Sequence, residues 1–142
     1  MWGPPTWFFL HALCAKINPN HYLLIKEPLW NKIKELCANL PCPDCSEHAT
    51  TYLAKIPIPP TKEALVHLLY VFHNEVNQRT GKPPFPVERL PQYTHLPLPL
   101  LFTFYKQAIM NQPYNPKLMM HKMRSRQFVK QFQGWLVQQK LL

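Results

Sequence analysis

The segment Leu40-Pro41-Cys42-Pro43-Asp44-Cys45-Ser46-Glu47-His48 carries two cysteines three positions apart, a spacing that closes a small reversible disulfide at the start of a helix. Pro43 suits the first helical position, where its missing N–H would have had no partner anyway. Cys42 then falls at the N-cap, with backbone amides and the positive end of the helix dipole facing its sulfur. That setting favours a thiolate at Cys42. Asp44 and Glu47 repel a sulfur anion while stabilising the helix start, so their effect opposes that of the dipole. Taken alone, the pair serves a dithiol oxidoreductase and half of a zinc site equally well.

With 142 residues, 46% of them hydrophobic, the chain can bury one core but not two domains and a linker. No basic-then-apolar leader precedes Trp2 and no run of about 18 apolar residues occurs, so a cytoplasmic location is expected. Four cysteines are too few for a secreted disulfide scaffold of this length. A catalytic disulfide in a reducing compartment needs an electron acceptor that keeps it oxidised. Charge is unevenly placed. Residues 96–142 hold seven Lys/Arg and no acid, whereas residues 1–95 hold nine Lys/Arg against seven Asp/Glu, so the tail supplies +7 of the net +9. An anionic partner or surface fits the tail better than the cysteine-bearing part, and a solvated basic helix is the plain alternative.

Apolar residues recur at helical spacing in four places before residue 82, and nothing alternates long enough for a strand. The spacing predicts an all-α four-helix bundle with a C-terminal helical extension. A first helix from about Pro5 to Ile17 places Trp7, Leu10, His11 and Cys14 on one face. A second runs from about Glu27 to Leu40, with Leu29, Ile33, Leu36 and Cys37 inward. The third runs from Pro43 to about Lys55, and the fourth starts at Thr61, buries Ala64, Leu65, Leu68, Phe72 and Val76, and stops at Gly81. The proline-rich stretch 83–100 reads as a spacer or wrapped coil with one short helix near Val87 to Tyr93. Helices resume at Leu101 to Ile109 and from Leu118 onward, where Phe128, Phe132, Trp135 and Leu136 form a stripe. Such a stripe is usually core or a dimer face; here a protein face toward a partner or a second copy is expected, with neither nucleic acid nor membrane expected on it. Cys14 and Cys37 fall on apolar faces and are expected to be buried and dispensable, a disulfide between them being the alternative.

The redox pair has company. Trp2-Gly3-x-x-x-Trp7-x-x-Leu10-His11 precedes it, Cys42-Pro43-Asp44-Cys45-x-x-His48 contains it, and Phe72-His73-Asn74-Glu75-Val76-Asn77-x-Arg79-x-Gly81-Lys82 follows. In that order and spacing, over roughly residues 2–85, the three blocks resemble the Erv/ALR flavin-linked sulfhydryl oxidases, most closely the short forms of large DNA viruses. For a viral form the expected location is the host cytoplasm or the virion. The resemblance implies an oxidase domain over residues 1–95 with FAD at the mouth of a four-helix bundle, and a basic helical extension over residues 96–142. It also implies a homodimer that passes electrons from substrate thiols through the Cys42–Cys45 disulfide and FAD to oxygen, releasing hydrogen peroxide. By the same resemblance Cys42 and Cys45 are catalytic, Cys42 facing substrate and Cys45 the flavin. Cofactor contacts would come from Gly3, Trp7, His11, Cys45 and His48, and from His73, Asn74, Val76, Asn77 and Lys82.

The residues suit that role. No Gly-rich strand-to-helix fingerprint is present, which excludes a Rossmann site. Trp7 and His11, one turn apart, can form a stacking wall; His73 and Asn77 are likewise one turn apart, and Asn74 and Lys82 add a donor and a positive charge. Departures from the family pattern also occur. Tyr70 stands where many cellular relatives place a structural cysteine, and no cysteine follows Cys45, so the bracing disulfide is missing. The aromatic that the family places after its Gly-Lys pair has no clear match behind Gly81-Lys82, Phe85 and Tyr93 being the candidate substitutes. No second C-x-x-C is present as an internal shuttle and none is expected before Trp2, so the expected partner is a separate small thiol/disulfide carrier protein or another protein thiol substrate. The rival reading is a zinc-stapled interaction module built from Cys42, Cys45 and His48 with Cys37 or Cys14. It lacks a second ligand pair at standard spacing.

Overall fold

Asn18 ends one helix and starts the next. Its side-chain oxygen accepts from the backbone N–H of Asn20 (2.8 Å) and His21 (3.2 Å), and Pro19 takes the first helical position. A computed structural model describes residues 1–142, with helices α1 Gly3–Lys16, α2 Pro19–Ala38, α3 Pro43–Ala54, α4 Lys62–Arg79, α5 Leu98–Met110 and α6 Met119–Gln138. A 3₁₀ segment, Val87–His95, follows α4, and a 3₁₀ turn, Pro116–Leu118, leads into α6. No strand occurs, so the fold is all-α as the apolar spacing predicts.

Local signals set most boundaries. Thr61 caps α4 by accepting from the N–H of Ala64 at 3.1 Å, and Pro43 opens α3 with Cys42 at its N-cap. The largest difference from the sequence reading is α2, which begins eight residues before the expected Glu27 and runs through Pro28. Pro28 removes the bond to the carbonyl of Leu24. Both residues are exposed, so water can serve that carbonyl while buried Tyr22, Ile25 and Leu29 hold the helix against the core. The Tyr22 hydroxyl also donates to the carbonyl of Pro59 at 2.6 Å, tying the start of α2 to the proline-rich α3–α4 connection.

Helices α1–α4 form the bundle, α1 against α4 and α2 against α3 and α4. The extension expected at residues 96–142 does not stand apart from it, since α5 packs on α1 and α6 on α2 and α5. One apolar cluster takes in Phe9, Leu13, Leu29, Leu36 and Leu65 from the bundle together with Phe102, Tyr105, Phe128, Phe132 and Leu136. At its centre Phe9 stacks on Tyr105 at 5.3 Å and meets Phe102 and Phe132 edge-on at 5.2 and 6.0 Å. The reading of the α6 stripe as a free protein face is therefore corrected: Phe128, Phe132 and Leu136 are buried and Trp135 is half-buried. A basic helix with one apolar stripe is stabilised most by turning that stripe onto the bundle, each buried large side chain contributing about 1.5–3 kcal/mol. No helix is long and apolar enough to cross a membrane.

Candidate functional site

Cys42 and Cys45 are joined as a disulfide across the first turn of α3, with their Cα atoms 5.2 Å apart. The N–H of Cys45 donates to Cys42 Sγ at 3.2 Å, so the sulfur occupies the acceptor position of a helix N-cap. A thiolate released at Cys42 would meet that donor and the positive end of the α3 dipole. Asp44 and Glu47 are exposed on the same turn, where solvent weakens their opposing effect. The approach to the pair is fixed by Leu40. Its N–H donates to Ser46 Oγ at 3.0 Å, its carbonyl accepts from the Ser46 hydroxyl at 3.3 Å, and His121 Nε2 of α6 donates to the same carbonyl.

The two sulfurs have different surroundings. Cys45 lines a cavity of about 220 Å³ set among α1, α3 and α4, and Cys42 does not. Trp2, Trp7 and Phe72 give the cavity flat aromatic surfaces, and Leu10, Leu40 and Val76 add apolar ones. The C-terminal end of α4 contributes Asn77, Arg79 and Thr80, followed by Lys82. Lys82 returns to the cavity through a helix-ending turn: Gly81, at φ +71°, donates its N–H to Gln78 O at 3.3 Å, and the N–H of Lys82 donates to Asn77 O at 2.8 Å. A side chain at residue 81 would strain that left-handed conformation.

Behind Trp7 lies a set of buried rings. His73 stacks on Trp7 at 4.0 Å, and His11 Nε2 shares a 2.9 Å hydrogen bond with His73 Nδ1. Burial first, and then the charge of its partner His73, pushes the pKa of His11 down to about 3. Burial, and then Lys82, pushes His73 down to about 4. Both rings are neutral near pH 7, one donating the shared proton and the other accepting it. Phe85 stacks on His11 at 5.2 Å and on His73 at 4.8 Å, while Tyr93 stacks on His11 at 4.8 Å. Both aromatics considered for the position after Gly81-Lys82 thus reach the histidine pair.

Of the residues read from the sequence, Gly3, Trp7, Cys45, Val76, Asn77 and Lys82 share the cavity. His11 and His73 support Trp7 from behind. Asn74 is engaged elsewhere: its Oδ1 accepts from the N–H of Phe85 at 2.7 Å and its Nδ2 donates to the Phe85 carbonyl at 3.2 Å. His48 is exposed and outside the cavity lining. The sequence reading did not assign Trp2, Thr6, Leu10, Phe72 or Thr80 to the site, although all line the cavity. Helical spacing carried the signal, because Gly3, Thr6, Trp7 and Leu10 share one face, as do Phe72, Val76 and Thr80. Cys37 also lines the cavity, but as a buried free thiol, like Cys14. Burial pushes both thiols up to about 12.

Aromatic walls, a polar α4 terminus with two cations and an adjoining disulfide suit a flat ligand that carries negative charge and accepts electrons. An all-helical bundle that holds a dithiol/disulfide pair against such a cavity defines a helical thiol–disulfide redox protein. No three His, Cys, Asp or Glu side chains converge as a metal site, and Cys42 and Cys45 are bonded to each other. The Erv1/Alr family model matches residues 4–95, and the chain belongs to that family. It is 34% identical over 84 residues to the FAD-linked sulfhydryl oxidase of African swine fever virus, covering 57% of this chain and 69% of the relative. It is 31% identical over 96 residues (61% of this chain, 85% of the relative) to a protein of Invertebrate iridescent virus 6 named as a candidate FAD-linked sulfhydryl oxidase. A relative of the same description in Invertebrate iridescent virus 3 is 30% identical over 86 residues, and the match spans 58% of each chain. No solved structure matches the chain.

Proposed function

We propose that this chain is an FAD-dependent sulfhydryl oxidase that forms disulfides in protein substrates. The observation that carries the reading is the placement of Cys45, but not Cys42, in an aromatic-walled cavity with Arg79 and Lys82 at its α4 edge. Trp2, Trp7 and Phe72 are the flat partners for the flavin and adenine rings, and Asn77, Arg79 and Lys82 the partners for the pyrophosphate. Bound there, FAD supplies the two-electron acceptor that returns the disulfide to its oxidised form and passes the electrons to oxygen, with release of hydrogen peroxide.

The chain's own residues supply the thiol chemistry. A substrate thiolate attacks Cys42 Sγ, a mixed disulfide forms, and Cys45 leaves as a thiolate on the cavity side. The substrate's second thiol then displaces Cys42, which leaves against the N–H of Cys45 and the α3 dipole. The Leu40 clamp made by Ser46 and His121 keeps the attacked sulfur in place between the two steps. Substrates are a small thiol/disulfide carrier protein or other protein thiols, and the working location is the host cytoplasm or the virion. A second copy would dock on the patch of half-exposed Phe8, Leu101 and Phe104 to give a homodimer.

Cys42→Ser and Cys45→Ser are each expected to abolish dithiol oxidation while leaving the fold, and only Cys45→Ser to perturb the flavin spectrum strongly. If Cys42→Ser shifts the spectrum and Cys45→Ser does not, the two roles are reversed. Retained oxidation in either variant removes the disulfide from the mechanism.

A further inference from the structure

The hold on Leu40 joins two parts of the chain that the sequence keeps apart. His121 is on the first turn of α6, outside the residues that match the family, and its bond to the Leu40 carbonyl crosses 81 positions. A carbonyl can only accept, so Nε2 of His121 carries the proton. The aim of the ring follows from the register of α6. Ser125, Phe128 and Phe132 come four, seven and eleven positions after His121, which puts them on the same helix face, and all three are buried. Helix α6 packs on α2, and α2 ends at Ala38, two residues before Leu40. Burial of that face therefore brings His121 to this carbonyl.

Between the Leu40 carbonyl and the Cα of Cys42 the backbone has one soft torsion. Both peptide bonds are planar and the ring of Pro41 locks its φ, which leaves the ψ of Pro41 alone. Whatever fixes the carbonyl therefore restrains Cys42. Ser46 contributes a hydroxyl bond of 3.3 Å, longer than usual for that type, and His121 contributes the other. On the α3 side, the Cys42 carbonyl accepts from the N–H of Ser46 at 3.0 Å and its sulfur from that of Cys45 at 3.2 Å. With the disulfide closed, Cys45 holds the sulfur as well. Once it opens, the sulfur stays over the N–H groups of α3 only while Cys42 itself is held. The neighbouring cations of α6 are engaged elsewhere, Lys122 by the carbonyls of Gln112 and Pro113 and Arg126 by that of Met110. On α3 the titratable neighbours Asp44, Glu47 and His48 are exposed.

We propose that His121 is a positioning residue for Cys42: its bond to Leu40 keeps the Cys42 sulfur at the α3 N-cap whenever the Cys42–Cys45 bond is open, so that the sulfur leaves substrate as a thiolate. The inference rests on the reading of Cys42 as the substrate-facing cysteine and adds a residue of the extension to that site. In the step it serves, the substrate's second thiol gives its proton to solvent and bonds to the substrate sulfur held by Cys42. The mixed disulfide breaks and Cys42 keeps the electron pair. The substrate is oxidised by two electrons, and the reduced Cys42/Cys45 pair is reoxidised by FAD and oxygen as proposed above. A sulfur held against the Cys45 N–H and the positive end of α3 leaves more readily as an anion than one that swings away.

The test uses the full chain carrying Cys45→Ser, which keeps the N–H of residue 45 and leaves Cys42 as the reactive thiol, because Cys14 and Cys37 are buried. The rate of iodoacetamide alkylation of Cys42, followed against pH by mass spectrometry, reads the midpoint of thiolate formation. His121→Ala and His121→Leu, a small and a large side chain without a donor, are each expected to raise that midpoint by about one pH unit and to slow alkylation about tenfold below it. The leucine variant serves should the alanine variant fail to fold. His121→Gln, whose uncharged N–H can reach the place of Nε2, is expected to restore the midpoint. In the chain with both cysteines, the donor-less variants are expected to lower kcat/KM for dithiothreitol about tenfold with FAD content unchanged, and His121→Gln to recover it. A midpoint or a kcat/KM unmoved by loss of the donor overturns the proposal. So does a glutamine variant that titrates like the donor-less ones, because the charge of the ring and not its bond would then be acting. If the unaltered chain fails to oxidise dithiothreitol, the oxidase reading falls instead, and the alkylation midpoints then decide the role of His121 by themselves.

Discussion

Phe132→Ala removes a ring that is 0% exposed and meets Phe9 of α1 edge-on at 6.0 Å and Phe128 at 5.3 Å. A large-to-small change at such a site costs about 3–5 kcal/mol, the lost transfer energy plus a cavity the surrounding helices cannot fill. Against a total stability of about 5–15 kcal/mol for an ordinary domain, that is a fifth or more. At about 3 °C per kcal/mol for a chain of this size, the melting temperature is expected to fall by roughly 9–15 °C. Val137→Ala on α6, where the side chain is 55% exposed, serves as the control and is expected to cost about 1 kcal/mol or less. Differential scanning calorimetry of the three proteins makes the comparison. If Phe132→Ala melts within about 2 °C of the unaltered chain, α6 is not part of the bundle's core and the packing argument fails. By the same reasoning, a chain cut after residue 95 would bare Phe9 and leave a remnant that aggregates.

The histidine pair makes stability pH-dependent. His11 and His73 are pushed down to about 3 and about 4 from an ordinary 6.5, so the unfolded chain binds more protons below that value. Stability from the pair is complete above about pH 6.5 and is lost as pH falls toward 4, at up to about 1.4 kcal/mol per pH unit for each ring. Urea midpoints at pH 7 and 5 check this, and a His11→Gln variant whose acid limb is as steep as that of the unaltered chain would rule the pair out as the cause. Cys14 and Cys37 stay protonated and buried, so peptide mapping of the unreduced protein should find Cys42–Cys45 as the sole linkage; a 14–37 linkage contradicts their assignment as free thiols. Sedimentation should give a dimer that Phe8→Glu converts to monomer, and a dimer unaffected by that change would place the interface elsewhere.

Elements closed by local chemistry were legible residue by residue. Thr61, Pro43 and Gly81 each act on the neighbouring few peptide groups, and α3 and α4 begin and end where those residues predict. Pro28 misled because its cost depends on which way the helix faces, a tertiary property that no window of sequence contains. The extension's place was hidden for the same reason. A stripe of Phe128, Phe132 and Leu136 looks alike whether it meets a partner or Phe9 more than a hundred positions away. In the site, the C-x-x-C pair and the one-turn spacing of Trp7 with His11 and of His73 with Asn77 brought their residues together. Asn74 read as a ligand donor from its neighbours, but a backbone eleven positions on claims both ends of its amide. The bond from His121 to Leu40 spans 81 positions and leaves no local trace.

Anaerobic reduction tests the central claim most directly. The purified chain is expected to be yellow, with non-covalent FAD at one per chain, and to bleach when dithiothreitol is added without oxygen. Cys45→Ser should retain its FAD, with an altered flavin spectrum, and fail to bleach on the same time scale. Readmitting oxygen to the unaltered chain should restore the flavin band and yield one hydrogen peroxide per dithiol oxidised. A colourless chain that still oxidises dithiols, or a Cys45→Ser variant that bleaches as fast as the unaltered chain, would contradict the passage of electrons through Cys45 to FAD.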